Sequence, residues 1–222
     1  MQPDQRSANG TATAGNNPYL VNSADFAKRY SKDALKVFDK AGESMRKGKL
    51  DEAISRYHKA ISLAPDLYPA HNDLGTAYMQ KQDFSDARSE FEQVVKLNPS
   101  DASAYLNLAN VELLTGNYQQ GLGFLNQGLS KQPGSGFAYF IEGSLFRHLG
   151  KLMEAEQALH QALQMDPSLA MAHLELVNLY RQEENRPLVI AELESFLKLY
   201  PANPMAPKVR EALQKLTVAS SR

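Results

Sequence analysis

Five prolines stand at equal intervals along this 222-residue chain, and their spacing constrains the fold more than any other feature. They are Pro65, Pro99, Pro133, Pro167 and Pro201, each 34 residues after the one before. A fixed period of about 20–50 residues is typical of repeat architectures, in which each repeat is one supersecondary unit that stacks on its neighbours. The prolines therefore predict a solenoid, a single quasi-linear array of repeats.

The chain divides into five units of this length, each of which ends two residues beyond its proline. The units are 34–67, 68–101, 102–135, 136–169 and 170–203. In most units the eighth, twentieth and twenty-seventh residues are small, whereas the eleventh, seventeenth and twenty-fourth are bulky. The second unit shows the pattern with Gly75, Tyr78, Phe84, Ala87, Phe91 and Val94. Small residues let two helix backbones approach, and bulky residues fill the space beside them.

This pattern resembles the tetratricopeptide repeat family, whose 34-residue unit is a helix–turn–helix. The resemblance extends from about residue 34 to residue 203. It implies an all-α fold, a right-handed α-solenoid of helix–turn–helix repeats. The first helix of each unit is expected at about its first fourteen residues, and the second at about residues eighteen to thirty-one. Each proline helps to end a second helix, because proline lacks an amide proton and disfavours helix in the preceding residue.

The segments outside the five units have different compositions. Residues 1–22 are rich in small and polar types, so we predict a disordered tail or a linker there. Helical spacing of apolar residues begins near residue 23, and the solenoid is expected to span 23–217 as a single domain. A polar-faced helix at about 205–217 is expected to cap the array, because solenoids need polar ends for solubility. Residues 218–222 should fray.

Composition excludes several classes of function. The formal charge of −1 argues against a general nucleic-acid binder, which needs a basic surface to displace counterions. The chain lacks the long apolar stretch of a membrane span, and residues 1–22 lack the pattern of a secretory signal, so a soluble protein is expected. The absence of cysteine removes disulfide and thiolate chemistry but fits any compartment. The localisation is therefore left open.

No motif in the sequence indicates catalysis, a cofactor or a metal ion. The patterns HExxH, GxSxG and a glycine-rich phosphate loop after a strand are absent. His71 and His173 both occupy the fourth position of their units, and His58 and His160 both occupy the twenty-fifth. Histidines in phase with the repeat are more simply explained by packing than by metal binding, which needs clustered ligands. We therefore predict a non-enzymatic protein.

The fifth, ninth and twelfth residues of a first helix should share one flank, because successive residues of an α-helix turn by about 100°. In tetratricopeptide repeats the corresponding flank lines the concave groove that takes extended or helical peptides. The resemblance therefore assigns a candidate groove to this stripe, to which Phe137 is added from the start of the fourth unit. The stripe residues are Phe38, Met45, Asn72, Thr76, Met79, Leu106, Asn110, Leu113, Phe137, Phe140, Ser144, Arg147, Asn178 and Arg181.

The chemistry of the stripe predicts its partner. Apolar side chains with interspersed amides suit a protein or peptide segment that has hydrophobic anchors. One subset of the family grips a partner's terminal carboxylate, but of the matching positions here only Asn107 fits, so that mode is disfavoured. Arg147, His148 and Arg181 are candidates to meet an acidic residue of the partner. The alternative is self-association, through the end surfaces of the array or through the amino-terminal tail.

Overall fold

The structure, a computed structural model, describes residues 28–132 and 134–218. Eleven helices follow one another over these residues, and no β-strand occurs among them. The predicted tail at 1–22, the predicted helix start at 23–27 and the last residues, 219–222, lie outside the described residues. Pro133, the third of the evenly spaced prolines, also lies outside them.

Two helices lie in each 34-residue unit, and one more follows the fifth unit. The helices are α1 (Lys32–Arg46), α2 (Leu50–Leu63), α3 (Tyr68–Lys81), α4 (Phe84–Leu97), α5 (Ala102–Thr115), α6 (Tyr118–Lys131), α7 (Gly136–His148), α8 (Leu152–Met165), α9 (Ala170–Gln182), α10 (Arg186–Leu199) and α11 (Ala206–Val218). The second helices begin one residue earlier than expected. Each helix packs mainly on its partner within the unit and then on the adjacent unit, which confirms the predicted all-α repeat solenoid.

The turn between the paired helices shares one backbone feature in all five units. At the fifteenth position of each unit the backbone is left-handed, with φ between 57° and 83°. Glycine occupies this position in three units, where it adopts the conformation without steric cost. The other two units place a side chain there. The five residues are Gly48, Gln82, Gly116, Gly150 and Glu184.

The core follows the alternation of small and bulky positions. The twenty-fourth residue of every unit is buried, with an exposed fraction of at most 3%: Tyr57, Phe91, Leu125, Leu159 and Leu193. These side chains occupy the space that a small residue on the first helix leaves open. A Cβ atom added to Gly143 would lie 2.6 Å from Cγ of Leu159. The small residues are therefore required by contact between the paired helices.

Replacement by alanine should change the free energy of unfolding in opposite directions at two glycines of the array. Gly123→Ala is expected to raise the free energy of unfolding by about 0.4–1 kcal/mol, because alanine favours helix and nothing lies within 4 Å of the added Cβ. Gly143→Ala is expected to lower it by about 1–3 kcal/mol, since the new Cβ would meet Leu159 and lie 3.0 Å from the Ala155 carbonyl oxygen. Urea denaturation followed by circular dichroism measures both changes. Equal shifts of the two midpoints would contradict the packing described above.

Candidate binding groove

The structure places the stripe residues on the five first helices, α1, α3, α5, α7 and α9. Eleven of the fourteen side chains are partly buried, so they pack on the core and still present surface. Ser144 is only 3% exposed and offers little to a partner. Asn178 and Arg181, both on α9, are exposed. The accessible part of the stripe thus changes along the array, from apolar on α1 to polar on α9.

The apolar members of the stripe join most closely on α5 and α7. Leu106, Leu113, Phe137 and Phe140 are all partly buried and pack against one core cluster, which includes Ile141. The rings of Phe137 and Phe140 are stacked, with centroids 6.2 Å apart and planes inclined by 22°. These four partly buried side chains thus lie over one core cluster that joins the third and fourth units.

The first helices α1 and α3 carry a second apolar group. Phe38 and Met45 are partly buried against the core of the first unit, and the Phe38 ring lies 6.0 Å from the ring of Tyr57. Met79 packs on the neighbouring cluster around Phe91. On α3 the Thr76 hydroxyl donates to the carbonyl oxygen of Asn72, at 3.0 Å, and is thus directed back to its own helix.

The asparagines of the stripe differ in their availability to a partner. Asn107 donates through Nδ2 to Oδ1 of Asn72, at 3.1 Å, which links α5 to α3. Asn72 in turn donates to Asp73 at 3.3 Å, and burial raises the pKa of this carboxyl group. Asn110 makes no side-chain hydrogen bond to the residues that the structure describes. Its amide is therefore free to donate to a partner's backbone and to accept from it.

At the cationic end of the stripe, a carboxylate of the protein itself neutralises one of the positive charges. Arg147 Nε lies 2.6 Å from Glu175 Oε1, and both side chains are mostly buried. Asn178 donates to the other oxygen of Glu175 at 3.1 Å. His148 lies 2.9 Å from Arg147 and stacks on the ring of Tyr118, and its burial, together with Arg147, lowers its pKa. Among the described residues, Arg147 is the one predicted cation of the three that forms an ion pair, whereas His148 and Arg181 are exposed and form none.

Two polar residues of this surface, Asn107 and Glu175, were not among the candidate groove residues. Both occupy the sixth position of their units, next to the stripe, where Asp73 also lies. The signal that could have identified them is the repeated polar residue at this position. Their partners, Asn72 and Arg147, lie in the preceding unit, and sequence spacing within a unit does not predict such contacts.

The two histidines at the fourth position of their units, His71 and His173, hold paired helices together. His71 Nδ1 lies 2.6 Å from Glu90 Oε2, and its Nε2 lies 3.1 Å from the carbonyl oxygen of Pro65. Burial opposes the charged imidazolium, but these hydrogen bonds outweigh it and raise the pKa of His71. His173 repeats the contact with Glu192 at 2.7 Å. Each pair joins the first helix of a unit to the second.

Over 28–132 and 134–218, no three histidine, aspartate or glutamate side chains converge as metal ligands would. None of the helices over these ranges has the length and apolar character needed to cross a bilayer.

The helices stack in pairs, and the stripe residues lie on the first helix of each pair. This arrangement is that of a helical repeat protein. Three tetratricopeptide repeat profiles match the sequence, at residues 44–82, 72–136 and 138–169. The chain belongs to the tetratricopeptide repeat family, as its sequence pattern predicts. Proteins of this family are typically non-catalytic scaffolds for protein interactions.

Several solved structures share the fold. MamA from Desulfovibrio magneticus RS-1, from residue 41 to its end, is 18% identical with a TM-score of 0.66, and the match covers 79% of this chain and 99% of that one. TTC0263, a thermophilic protein of Thermus thermophilus, is 17% identical with a TM-score of 0.70, covering 83% and 99%. YrrB, described as having an unusual peptide-binding site, is 21% identical with a TM-score of 0.58, covering 85% and 96%. No curated protein matches the sequence.

Proposed function

We propose that this protein is a non-enzymatic scaffold that binds a protein or peptide segment along the stripe of its first helices. The observation that carries the proposal is the group of four partly buried apolar side chains, Leu106, Leu113, Phe137 and Phe140, which pack against one core cluster. These side chains are partly buried by the core and partly open. Contiguous apolar surface of this kind marks interaction sites on proteins in water.

The arrangement around this surface supports a segment with hydrophobic anchors. Phe140 and Leu113 provide the apolar contact, and Asn110 on the same flank of α5 offers a free amide to the segment's backbone. YrrB, which shares the fold, is described as having a peptide-binding site, and this adds support for a peptide ligand. The exposed Arg181 at the other end of the stripe is available to an acidic residue.

Two substitutions in the stripe should weaken the capture of a partner. Phe140→Ala is expected to lower the affinity about tenfold or more, because it removes an aromatic anchor. Asn110→Ala should lower it about three- to tenfold, through the loss of hydrogen bonds to the partner's backbone. The tagged full chain is used to capture partners, which are identified by mass spectrometry, and each variant's affinity is then measured with the purified partner.

Met153→Ala provides the matched control, because Met153 is 76% exposed on α8 and lies outside the stripe. Thermal melting checks that Phe140→Ala remains folded, since Phe140 also touches the core. Binding that survives both stripe substitutions would contradict the proposal. Capture of a second copy of the chain would support self-association instead.

A further inference from the structure

A cavity of about 400 Å³ lies at the carboxyl-terminal end of the array, between α9, α10 and α11. Three buried side chains form its apolar floor, and they are Val177, Val189 and Leu193. Charged residues surround the opening, with Arg181, Glu184 and Lys215 all exposed. The cavity therefore combines an apolar interior with a charged rim, the composition typical of small-ligand sites.

Arg186 in the cavity wall departs from the repeat pattern. It stands at the seventeenth position of its unit, where the other units carry an apolar or aromatic residue: Leu50, Phe84, Tyr118 and Leu152. The guanidinium donates through Nη2 to the carbonyl oxygen of Leu216, near the end of α11. Its Nε is buried and has no acceptor among the described residues. A buried donor without an acceptor is uncommon in folded proteins, so the Arg186 guanidinium is an unusual feature of the cavity wall.

The charges of the lining favour an anion. Three cations line the cavity, Arg181, Arg186 and Lys215, against the single carboxylate of Glu184. Arg181 has no ion pair with a described residue. Lys215 is paired with Glu211 at 2.6 Å, but both side chains are well exposed, so this pair is weak and easily exchanged. Guanidinium groups bind carboxylates particularly well, because their paired N–H donors match the two oxygens.

We propose that this cavity binds the carboxyl end of a peptide whose last residue is apolar. The apolar side chain packs on Val177, Val189 and Leu193, and the terminal carboxylate pairs with Arg181 and Arg186. Glu184 at the rim accepts a backbone N–H of the peptide, a donor that the acyl chain of a lipid lacks. The site shares Arg181 with the stripe but none of the apolar residues of α5 and α7, and it does not depend on the function proposed for those residues.

The test compares two short probes, N-acetyl-leucyl-leucine with a free carboxylate and the same compound with a terminal amide. Each is titrated into the isotope-labelled full chain and followed by NMR. The acid is expected to bind about tenfold or more tightly than the amide, because it adds a charge-assisted contact. The largest shift changes should fall on the amides of 177–193 and 212–216, and added salt should weaken the acid selectively.

Arg186→Leu is the decisive variant, since it restores the residue type of the first and fourth units and removes the unpaired donor. It should reduce the preference for the acid to less than about twofold. Arg181→Gln should reduce it several-fold and serves as the second variant if Arg186→Leu folds poorly. Lys208→Gln, an exposed cation of α11 outside the lining, should leave the preference unchanged.

Three outcomes would overturn the proposal. The acid and the amide bind equally, or Arg186→Leu leaves the preference intact, or octanoate binds in the cavity while the dipeptide acid does not. The last result would identify a lipid carboxylate as the ligand. Phe140→Ala should leave dipeptide binding unchanged, so failure at the cavity and failure at the stripe are distinguishable.

Discussion

Replacing Phe91 with alanine should lower the free energy of unfolding by about 3–5 kcal/mol, the range for a fully buried aromatic side chain. Phe91 is 1% exposed and lies on α4, where it packs with Leu108 and Val111 of the following unit. The substitution therefore opens a cavity at the junction of two units. Urea denaturation followed by circular dichroism should show a much lower midpoint than for the unaltered chain.

A double-mutant cycle with Gly75 tests whether the predicted contact causes this loss. A Cβ added to Gly75 would lie 2.7 Å from Cε1 of Phe91, so Gly75→Ala alone should destabilise by about 1–3 kcal/mol. When Phe91 is already alanine, the clash is absent and Gly75→Ala should be neutral or stabilising. Additive effects of the two substitutions would show that the ring does not occupy this space.

Replacing Arg88 with methionine should cost about 3–5 kcal/mol, because it leaves a buried carboxylate without its countercharge. Glu112 on α5 is fully buried, and Arg88 Nη1 lies 2.9 Å from its Oε1. Asn117 donates to the other oxygen at 2.8 Å, but an amide does not compensate the charge. The expected loss is measured as a change in the free energy of unfolding by urea denaturation.

The apolar double variant Arg88→Met with Glu112→Leu is the informative comparison. Replacing both members of a buried ion pair is often neutral or stabilising, so most of the loss should be recovered. The eleventh position of the fourth unit already carries Phe146, which indicates that an apolar side chain fits there. A double variant as unstable as Arg88→Met would mean that the ion pair is not the source of the effect. Arg88→Lys should retain part of the stability.

The fold could be predicted from the sequence because the repeat signals are local. Proline at position thirty-two ends each second helix, and the small and bulky positions specify how the two helices of a unit pack. Phe91 and Gly75 illustrate this, since their contact lies within one unit and follows from the helix period. Each second helix begins one residue earlier than the sequence predicts, because helix ends depend on the geometry of the turn.

The sequence did not predict which stripe side chains are free to contact a partner and which are already paired with another unit. The stripe itself follows from the helix period, but Arg147 pairs with Glu175 of the next unit and Asn72 accepts from Asn107. Glu112 stands at the eleventh position of its unit, where three other units carry an aromatic residue. The sequence did not show that Arg88 of the preceding unit supplies its countercharge. These contacts depend on how one unit is rotated against the next.

The sequence by itself determined the repeat, the helix pairs and the identity of the residues on each face, because these depend on spacing along one helix or within one unit. The tertiary structure alone decided which polar groups are paired across units and that α11 leaves a cavity beside Arg186. The physical reason is that many small packing contacts together set the angle by which one unit is rotated against the next. No short stretch of sequence specifies this rotation by itself.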